Sequence, residues 1–444
     1  MTKPRTFALV FVAGAAFVST AASAAGFQLF EQSGSGLGNA FAGGAASAED
    51  ASAIFFNPAG MTRIPGRQLV LAGHLIHIEA EFENEGSTLG FAPIPLTGGD
   101  GGDAGGIALV PNLYYAMDVV PDLKFGIGIN APFGLKTHYD AGWVGRYHAV
   151  TSQLTTININ PALAYKVNDV VSLGAGLDVL YADARLSNAI DFGTICFGTL
   201  GAGPCTGLGL TPQADDGRAE VEGDDWGYGY NLGALFAITP NTRIGVAYRS
   251  KISINIDADA DFSVPASATI LTAGGAFRDT SASASVDLPD YASVSLFHEI
   301  SSAWAVMADL TWTNWSRFEE LRVKFGNPAQ PDAVTPENWD DSYKVAIGAT
   351  YQHNDAWKFR AGLAHDESPV PDRFRTPRIP DEDRVWVSFG AQYKVSPNGL
   401  LDIGYTHIFV DDPELNLTSA SAGNLRGEYD SSVNIFAVQY SQGF

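Results

Sequence analysis

Apolar and polar side chains alternate along most of this 444-residue chain, and this period of two constrains the fold more than any other feature. Every second residue from Trp226 to Ile238 is apolar, whereas the intervening residues from Gly227 to Gly233 are glycine or asparagine. Successive side chains of a strand point to opposite faces, so this segment predicts a strand with one apolar face. The same pattern returns in segments that begin near residues 157, 244, 343 and 385.

A soluble β-sandwich also alternates, but three features favour a closed barrel in a membrane. Short turns such as Pro121–Asp122 and Pro240–Asn241 separate pairs of strands whose other ends carry long polar connections, as in outer-membrane barrels. Trp and Tyr recur near strand ends, where the membrane interface lies. The chain also ends in an alternating segment, Phe436–Phe444, which can pair with the first strand because lipid cannot satisfy an open edge.

The number of alternating segments predicts an all-β fold, an antiparallel transmembrane barrel of fourteen strands. Their expected starts are near residues 68, 107, 123, 150, 170, 223, 243, 281, 304, 342, 357, 384, 399 and 430. No run of about 18 apolar residues follows the first two dozen positions, so spanning helices are not expected. The formal net charge of -23 disfavours nucleic acid as a partner, because it would repel a phosphate backbone.

Residues 1–24 resemble an export signal peptide. Lys3 and Arg5 precede an apolar segment, Phe7–Val18, and the small residues Ala22–Ala24 provide a cleavage site. An uncleaved anchor is the alternative, but the apolar segment is too short to span a membrane. Export therefore predicts an oxidising compartment.

Cys196 and Cys205 are the two cysteines of the chain, and export predicts a disulfide between them. Their segment is rich in glycine and indicates a loop. Two thiols without a nearby histidine do not make a metal site, and no cofactor is expected.

Residues 25–66 do not alternate, and we expect them to form a small plug, or hatch, inside a barrel of residues 67–444. Fourteen strands enclose a lumen that wall side chains alone cannot fill. The segment is rich in small residues, which allow close packing, and short helices are possible at 37–46 and 48–54.

Several segments together resemble the FadL family of outer-membrane transporters for long-chain fatty acids and other hydrophobic compounds. They read AGFQLFEQSGSGLGNAFAG (25–43), FFNPAGMTRIPG (55–66), GDDWGYGYNLGALFAI (223–238) and DESPVPDRFRTPRIPDEDRVWVSFG (366–390). The resemblance covers nearly the whole mature chain. It implies a plugged fourteen-stranded barrel, a monomer, in the outer membrane of a Gram-negative bacterium, beside outer-membrane lipid and lipopolysaccharide.

The resemblance also implies a mechanism: capture at outer loops, binding in the lumen, hatch movement and exit sideways through the wall. The third strand offers a place for this exit, because glycine and proline interrupt it. The interrupting residues and their neighbours are Gly128, Asn130, Pro132, Phe133 and Gly134. Alternatively, Pro132 simply ends the strand.

Three hatch residues, Asn57, Pro58 and Ala59, resemble the family's Asn-Pro-Ala motif. The resemblance places this motif against the kinked third strand and gives it a gating role. A plain turn into the first strand is the alternative. Phe27 resembles the end of the hatch that lines the family's ligand pocket.

The outer loops contain candidates for capture and for headgroup binding. Trp143 and Tyr147 lie in one predicted loop, and exposed apolar loops suggest a binding surface. The resemblance places Asn188, and a second position near Thr335, where fatty-acid members carry basic side chains. The basic residues that can substitute are Arg185, Arg249, Lys251 and Lys344. If none of them binds a headgroup, a neutral cargo such as an aromatic hydrocarbon is favoured.

Charged residues flank the segment Ser368–Pro371, among them Asp381 and Arg384. They form either a salt-bridged cluster or solvated loop charge. A rival function is an outer-membrane enzyme that modifies lipid, but the chain has no G-x-S-x-G nucleophile motif. A plain polar porin would not need a hatch.

Overall fold

The structure, a computed structural model, describes residues 25–444, and the predicted export signal lies outside these residues. The described strands form one closed antiparallel barrel of fourteen strands, which confirms the predicted fold. Six of these strands are recorded in two pieces or carry a short extension, so the chain has twenty strand segments. Twelve of the fourteen predicted strand starts lie within one residue of an observed one, whereas the strands predicted near 223 and 430 begin earlier, at Asp216 and Leu425.

In chain order the barrel strands are β1 (Gln68–Asn84), β2 (Gly106–Val120), β3 (Leu123–Asn130) continued by β4 (Gly134–His138), β5 (Thr151–Lys166), β6 (Val171–Asp191), β7 (Asp216–Thr239), β8 (Thr242–Arg249) continued by β9 (Ile252–Ser263), β10 (Thr280–Leu288) continued by β11 (Tyr291–Glu299), β12 (Trp304–Thr313) continued by β13 (Glu320–Phe325), β14 (Ala333–Pro336) continued by β15 (Ser342–Gln352), β16 (Trp357–Asp366), β17 (Arg384–Ser396), β18 (Gly399–Val410) followed by the short β19 (Glu414–Leu417), and β20 (Leu425–Gly443). The α-helices are α1 (Gly34–Leu37), α2 (Gly44–Ser47), α3 (Ala53–Phe56), α4 (Phe192–Leu200) and α5 (Ala202–Gly207), and 3-10 helices occupy Pro58–Arg63, Ala266–Thr272, Trp315–Arg317 and Asp372–Phe374.

The first and last strands close the ring. β1 pairs with β20 over its whole length, from Gln68 opposite Gly443 to Asn84 opposite Gly427. All neighbouring strands are antiparallel, and short turns join them at one end while long connections join them at the other. In an outer-membrane barrel the long connections lie outside the cell, and we call their end of the barrel the outer end.

The pleat separates a lipid-facing surface from the lumen. On β6 and β7 the apolar side chains of Leu177, Trp226 and Tyr228 face outwards and are largely exposed, with Tyr228 at 71%. Their neighbours Leu180 and Asn231 face the lumen and are buried. No helix within residues 25–444 is long and apolar enough to cross a membrane.

The hatch, residues 25–66, fills the lumen and is almost entirely buried. Its helices are shorter than the two we expected, because glycines and left-handed residues such as Phe41 and Ala48 divide the segment. The side chain of Ser33 accepts the backbone N–H of Gly36 and so begins α1. Asn57 begins the 3-10 helix that follows α3, with Pro58 at its first position.

The cysteine pair lies in the long connection between β6 and β7. Cys196 and Cys205 form the predicted disulfide. The loop expected between them is wrong: α4 and α5 occupy this segment, and Asp191 begins α4 by accepting the backbone N–H of Thr194. A side-chain cap of this kind offsets the low helix propensity of glycine.

Candidate functional site

The third barrel strand is interrupted where the sequence analysis expected a kink. β3 ends at Asn130, Pro132 lies in the break, and β4 resumes at Gly134. The register between β2 and β3 ends at Leu113 opposite Ile129, whereas β4 pairs with β5. Proline lacks a backbone N–H, so it cannot donate to a sheet ladder.

The start of the hatch binds to this break from inside. The Gly134 N–H donates to the Phe27 carbonyl at 2.9 Å, and the Leu29 N–H donates to the Pro132 carbonyl at 2.8 Å. Gln28 lies opposite Phe133 in an antiparallel bridge. A few hatch residues therefore take the place of a neighbouring strand at the edge that faces β2.

The Phe27 side chain lies in a buried aromatic cluster. Its ring centre is 4.7 Å from that of Trp315, 5.8 Å from those of Phe318 and Trp339, and 6.1 Å from that of Phe133. These centre distances are those of favourable edge-to-face pairs. The cluster forms an apolar surface directly behind the interrupted strand.

Gly26 allows the chain to enter this cluster. Its φ is +63°, and a Cβ atom built there would lie 2.7 Å from the Trp339 ring and 2.9 Å from the Trp315 ring. Any other residue at this position would be strained and would displace an indole.

Asn57, Pro58 and Ala59 lie two to three strands away from the interruption. The Asn57 amide donates to the carbonyls of Ala45, at 2.7 Å, and Ala234, at 3.0 Å. Ala234 belongs to β7, so Asn57 itself binds the sixth barrel strand. The 3-10 helix that begins at Pro58 also contacts β3, where Met61 lies beside Gly126. Asn57 thus joins the hatch at Ala45 to the wall at Ala234, and Phe27–Leu29 contacts the break itself.

A cavity of about 400 Å³ lies at the outer end of the barrel, between the wall and the long connections. Tyr147, Asn188 and Thr335 line it, so the structure brings together three of the residues singled out in the sequence. Its apolar lining includes Leu186, Val221, Phe262, Leu321, Val323 and Phe325. Leu321, which lines the cavity, also packs against the buried apolar cluster that contains Phe27.

The other candidate ligand residues lie elsewhere. Trp143 is fully buried and stacks on Tyr139 with a centre distance of 4.0 Å, so it stabilises an outer loop. Arg185 is half exposed and pairs with Glu220 at 2.6 Å on the outward face of the wall. These two residues do not line the cavity.

Lys344 is buried inside the barrel, opposite Asp366 on the neighbouring strand. Its ammonium group is 3.9 Å from the Phe30 ring centre and 3.8 Å from that of Trp386. Lys344 does not line the outer cavity. The nearby hatch carboxyl of Glu31 is buried, and burial raises its pKa to about 7 although Lys344 acts in the opposite direction.

One long connection, residues 367–383 between β16 and β17, crosses the mouth of the barrel, and we call it the strap. The Arg378 guanidinium donates to the Thr151 carbonyl at 3.2 Å and to Ser152 Oγ at 3.1 Å. These partners lie on β5, the fourth barrel strand, whereas the strap starts at the eleventh. The Tyr139 hydroxyl also donates to the strap, at the Pro377 carbonyl.

Asp381 connects the strap to the hatch. Its carboxylate accepts the backbone N–H of Gly26 at 2.7 Å and the hydroxyl of Ser368 at 2.9 Å, and it pairs with Arg384. Asp381 is buried. The charges around Ser368–Pro371 therefore include a salt-bridged cluster, one of the two alternatives left open by the sequence.

Sequence reasoning missed Trp315, Trp339 and Arg378. The two tryptophans lie in connections without a strand period, and only their size indicated burial. Arg378 stands in a proline-rich segment whose pattern does not predict which residues it contacts.

Three comparisons with known proteins agree with this geometry. A family model described as "Outer membrane protein transport protein (OMPP1/FadL/TodX)" matches residues 15–444. A long-chain fatty acid transport protein from Salmonella typhi is 31% identical over 437 residues, which cover 97% of this chain and 96% of the relative.

Solved structures show the same architecture. The crystal structure of a FadL homologue from Pseudomonas aeruginosa matches with a TM-score of 0.86 and 28% identity, covering 94% of this chain and 99% of that one. The toluene transporter TbuX from Ralstonia pickettii matches with a TM-score of 0.64 and 21% identity, covering 91% and 96%. At that identity the second likeness concerns the fold alone.

Proposed function

The chain belongs to the OMPP1/FadL/TodX family of outer-membrane transport proteins, and from that premise we propose that it takes up long-chain fatty acids. It is an outer-membrane protein of a Gram-negative bacterium, and the cargo of its family is hydrophobic small molecules. The fatty-acid relatives at about 30% identity and the FadL homologue support the narrower choice.

The observation that carries the proposal is the hatch segment Phe27–Leu29, which bridges the interrupted third strand beside an aromatic cluster. A fatty acid gains about 0.8 kcal/mol for each buried CH₂ group, so sixteen carbons amount to roughly ten kcal/mol. Such a cargo needs an apolar path that ends in lipid. A break in the wall, covered by a removable segment, supplies that end.

We infer the following route. The cargo binds in the outer cavity, moves past Leu321 into the cluster around Phe27, and leaves between β2 and β4 once Phe27–Leu29 has moved. Backbone hydrogen bonds hold this segment at Pro132 and Gly134, and their net worth is about 1 kcal/mol each. That is small enough for ligand binding to displace them.

The alternative cargo is an aromatic or other neutral hydrocarbon taken up by the same route. Asn188 and Thr335 favour it, since they place uncharged side chains in the cavity where a carboxylate would prefer a base. The fold shared with toluene transporters is compatible with it.

Uptake by cells that lack their own transporter tests the proposal. Cells expressing this protein should accumulate labelled oleate, and the double variant Asn57→Ala, Pro58→Ala should lose most of this uptake at equal surface level. Uptake of labelled toluene without oleate would favour the hydrocarbon cargo. Uptake of neither compound would contradict transport of these cargoes.

A reversible crosslink tests the sideways exit. Gln28 and Phe133 are opposite each other at a non-hydrogen-bonded position, where side chains approach closely enough for a disulfide. The variant Gln28→Cys, Phe133→Cys should lose oleate uptake when oxidised and regain it in reductant. The single variants control for the lost side chains, and wild type in reductant controls for Cys196–Cys205. Equal uptake in the oxidised and reduced states would contradict the route.

A further inference from the structure

We propose that Arg378 binds the anionic headgroup of the cargo in the outer cavity, an assignment that rests on the fatty-acid transport proposed above. Arg378 is the one cationic side chain among the described residues that line this cavity. Its guanidinium presents a planar set of donors that matches both oxygens of a carboxylate. The basic side chain that is missing at positions 188 and 335 of the wall is thus supplied by the strap.

The guanidinium is held in place but not neutralised. One nitrogen, Nη1, donates to Thr151 and Ser152, which fixes its position on the wall. Within residues 25–444, its Nε and Nη2 atoms have no hydrogen-bond partner and no carboxylate forms a salt bridge with it. Burial lowers the pKa of Arg378 to about 10, so the group keeps its charge at neutral pH.

The acidic side chains near Arg378 have other partners. Asp191 begins α4, and Asp332 pairs with Arg322 at 3.1 Å. Burial raises the pKa of Glu337 to about 8, so this neighbour is mostly neutral at pH 7 and leaves the charge of Arg378 available. Arg378 is therefore the positive charge that an anion entering the cavity meets, whereas the Asp191 carboxylate, which also lines the cavity, is held by hydrogen bonds from Thr194 and Gln213.

The position of Arg378 also suits the tail of the cargo. Ile379, the next residue, packs in the aromatic cluster with Phe27. Leu321 lines the cavity and packs against the same cluster. A headgroup at Arg378 thus leaves an alkyl chain directed along an apolar surface towards the interrupted strand.

The other basic candidates are unsuited by their surroundings. Arg185 faces outwards, and Lys344 is buried against the rings of Phe30 and Trp386 and does not line the cavity. Arg249 is buried in an ion pair with Asp178. Breaking such a pair to bind a cargo would leave the Asp178 carboxylate buried without its partner.

Equilibrium binding to the purified full-length protein tests the assignment, with labelled oleate and its uncharged analogue oleyl alcohol as probes. Arg378→Gln should weaken oleate binding roughly tenfold or more, as loss of a charge-assisted hydrogen bond predicts, and change oleyl alcohol binding by less than about twofold. Arg378→Lys should restore part of the oleate affinity. Arg218→Gln, an exposed arginine outside the cavity, serves as the matched control and should bind oleate as wild type does.

Three results would overturn the assignment: equal weakening of both probes by Arg378→Gln, unchanged oleate binding in that variant, or no oleate binding by wild type. The cellular uptake experiment separates this site from the proposed function. Arg378-dependent binding without any oleate uptake would refute the transport and retain the site. Oleate uptake with Arg378-independent binding would refute the site alone.

Discussion

Glycines on the lumen side of the wall determine where the hatch sits. A Cβ atom on Gly174 would lie 2.3 Å from the Ala59 nitrogen, and one on Gly233 would lie 1.9 Å from Asn57 Oδ1. Hatch backbone and wall backbone therefore approach more closely than any side chain permits. In an alternating strand these glycines stand at the lumen-facing positions, opposite the lipid-facing apolar set.

We predict that Gly174→Ala displaces the 3-10 helix at Pro58–Arg63 and destabilises the protein by about 1–3 kcal/mol, the usual cost of overpacking. The unfolding midpoint in detergent should fall. Gly73→Ala is the matched control, because nothing lies within 4 Å of a Cβ atom there. Equal midpoints for the two variants would show that the hatch does not depend on this contact.

Glu31 makes the stability of the hatch depend on pH. Burial raises its pKa from 4.5 to about 7, with Lys344 partly opposing. The folded protein therefore holds this proton more tightly than the unfolded chain does. The stabilisation from Glu31 is fully present below pH 4.5 and is lost as the pH rises through 7.

We predict that Glu31→Gln, which cannot ionise, removes this dependence. The difference between the unfolding midpoints at pH 5 and pH 8 should shrink relative to wild type. Glu79→Gln, on an exposed part of β1, should leave the difference as it is. The interpretation fails if Glu31→Gln and wild type respond equally to pH.

At the scale of elements, the strap and the hatch are connected through Asp381. Arg378 of the strap lines the outer cavity. Three residues later, the Asp381 carboxylate accepts the backbone N–H of Gly26. The side chain that lines the cavity and the one that binds the start of the hatch are thus three positions apart in the strap.

We predict that Asp381→Asn loosens the start of the hatch. Loss of a charge-assisted hydrogen bond should speed amide hydrogen exchange at Gly26 and Leu29 by about tenfold. Asp383→Asn, a change in the same segment at a carboxylate that accepts from Ser368 and not from the hatch, is the control. Unchanged exchange in Asp381→Asn would contradict a connection through this residue.

The elements divide into those the sequence predicts and those it does not. Strand starts follow from local alternation, so β1 and β16 begin where the pattern begins. The position of Asn57–Ala59 depends on contacts with Ala234, which lies 175 to 177 positions along the chain, and no local pattern contains that information. The same holds for Arg378, whose cavity is assembled from connections far apart in sequence.

At the scale of the whole molecule, the barrel and the hatch have different sources of stability. The wall is a closed ladder of backbone hydrogen bonds, whereas the hatch is held by buried side chains and by the close approach to lumen glycines. The ring itself therefore does not require the hatch for its pairing.

We predict that deleting residues 25–64 leaves a barrel that inserts but conducts ions, because fourteen strands enclose a lumen that wall side chains do not fill. Planar-bilayer recordings should show open channels for the deletion and closed ones for wild type. Full-length Gly73→Ala should stay closed. Absence of conductance in a correctly inserted deletion variant would contradict the role of the hatch as a plug.

The pairing of β1 with β20 has a consequence for biogenesis. The hatch is synthesised before any strand, and the ring is completed only by the strand synthesised last. A compact segment surrounded by a continuous wall has to be in place before that wall is joined. Pairing of β1 with β20, from Gln68 opposite Gly443 onwards, is thus the step that encloses the hatch inside the barrel.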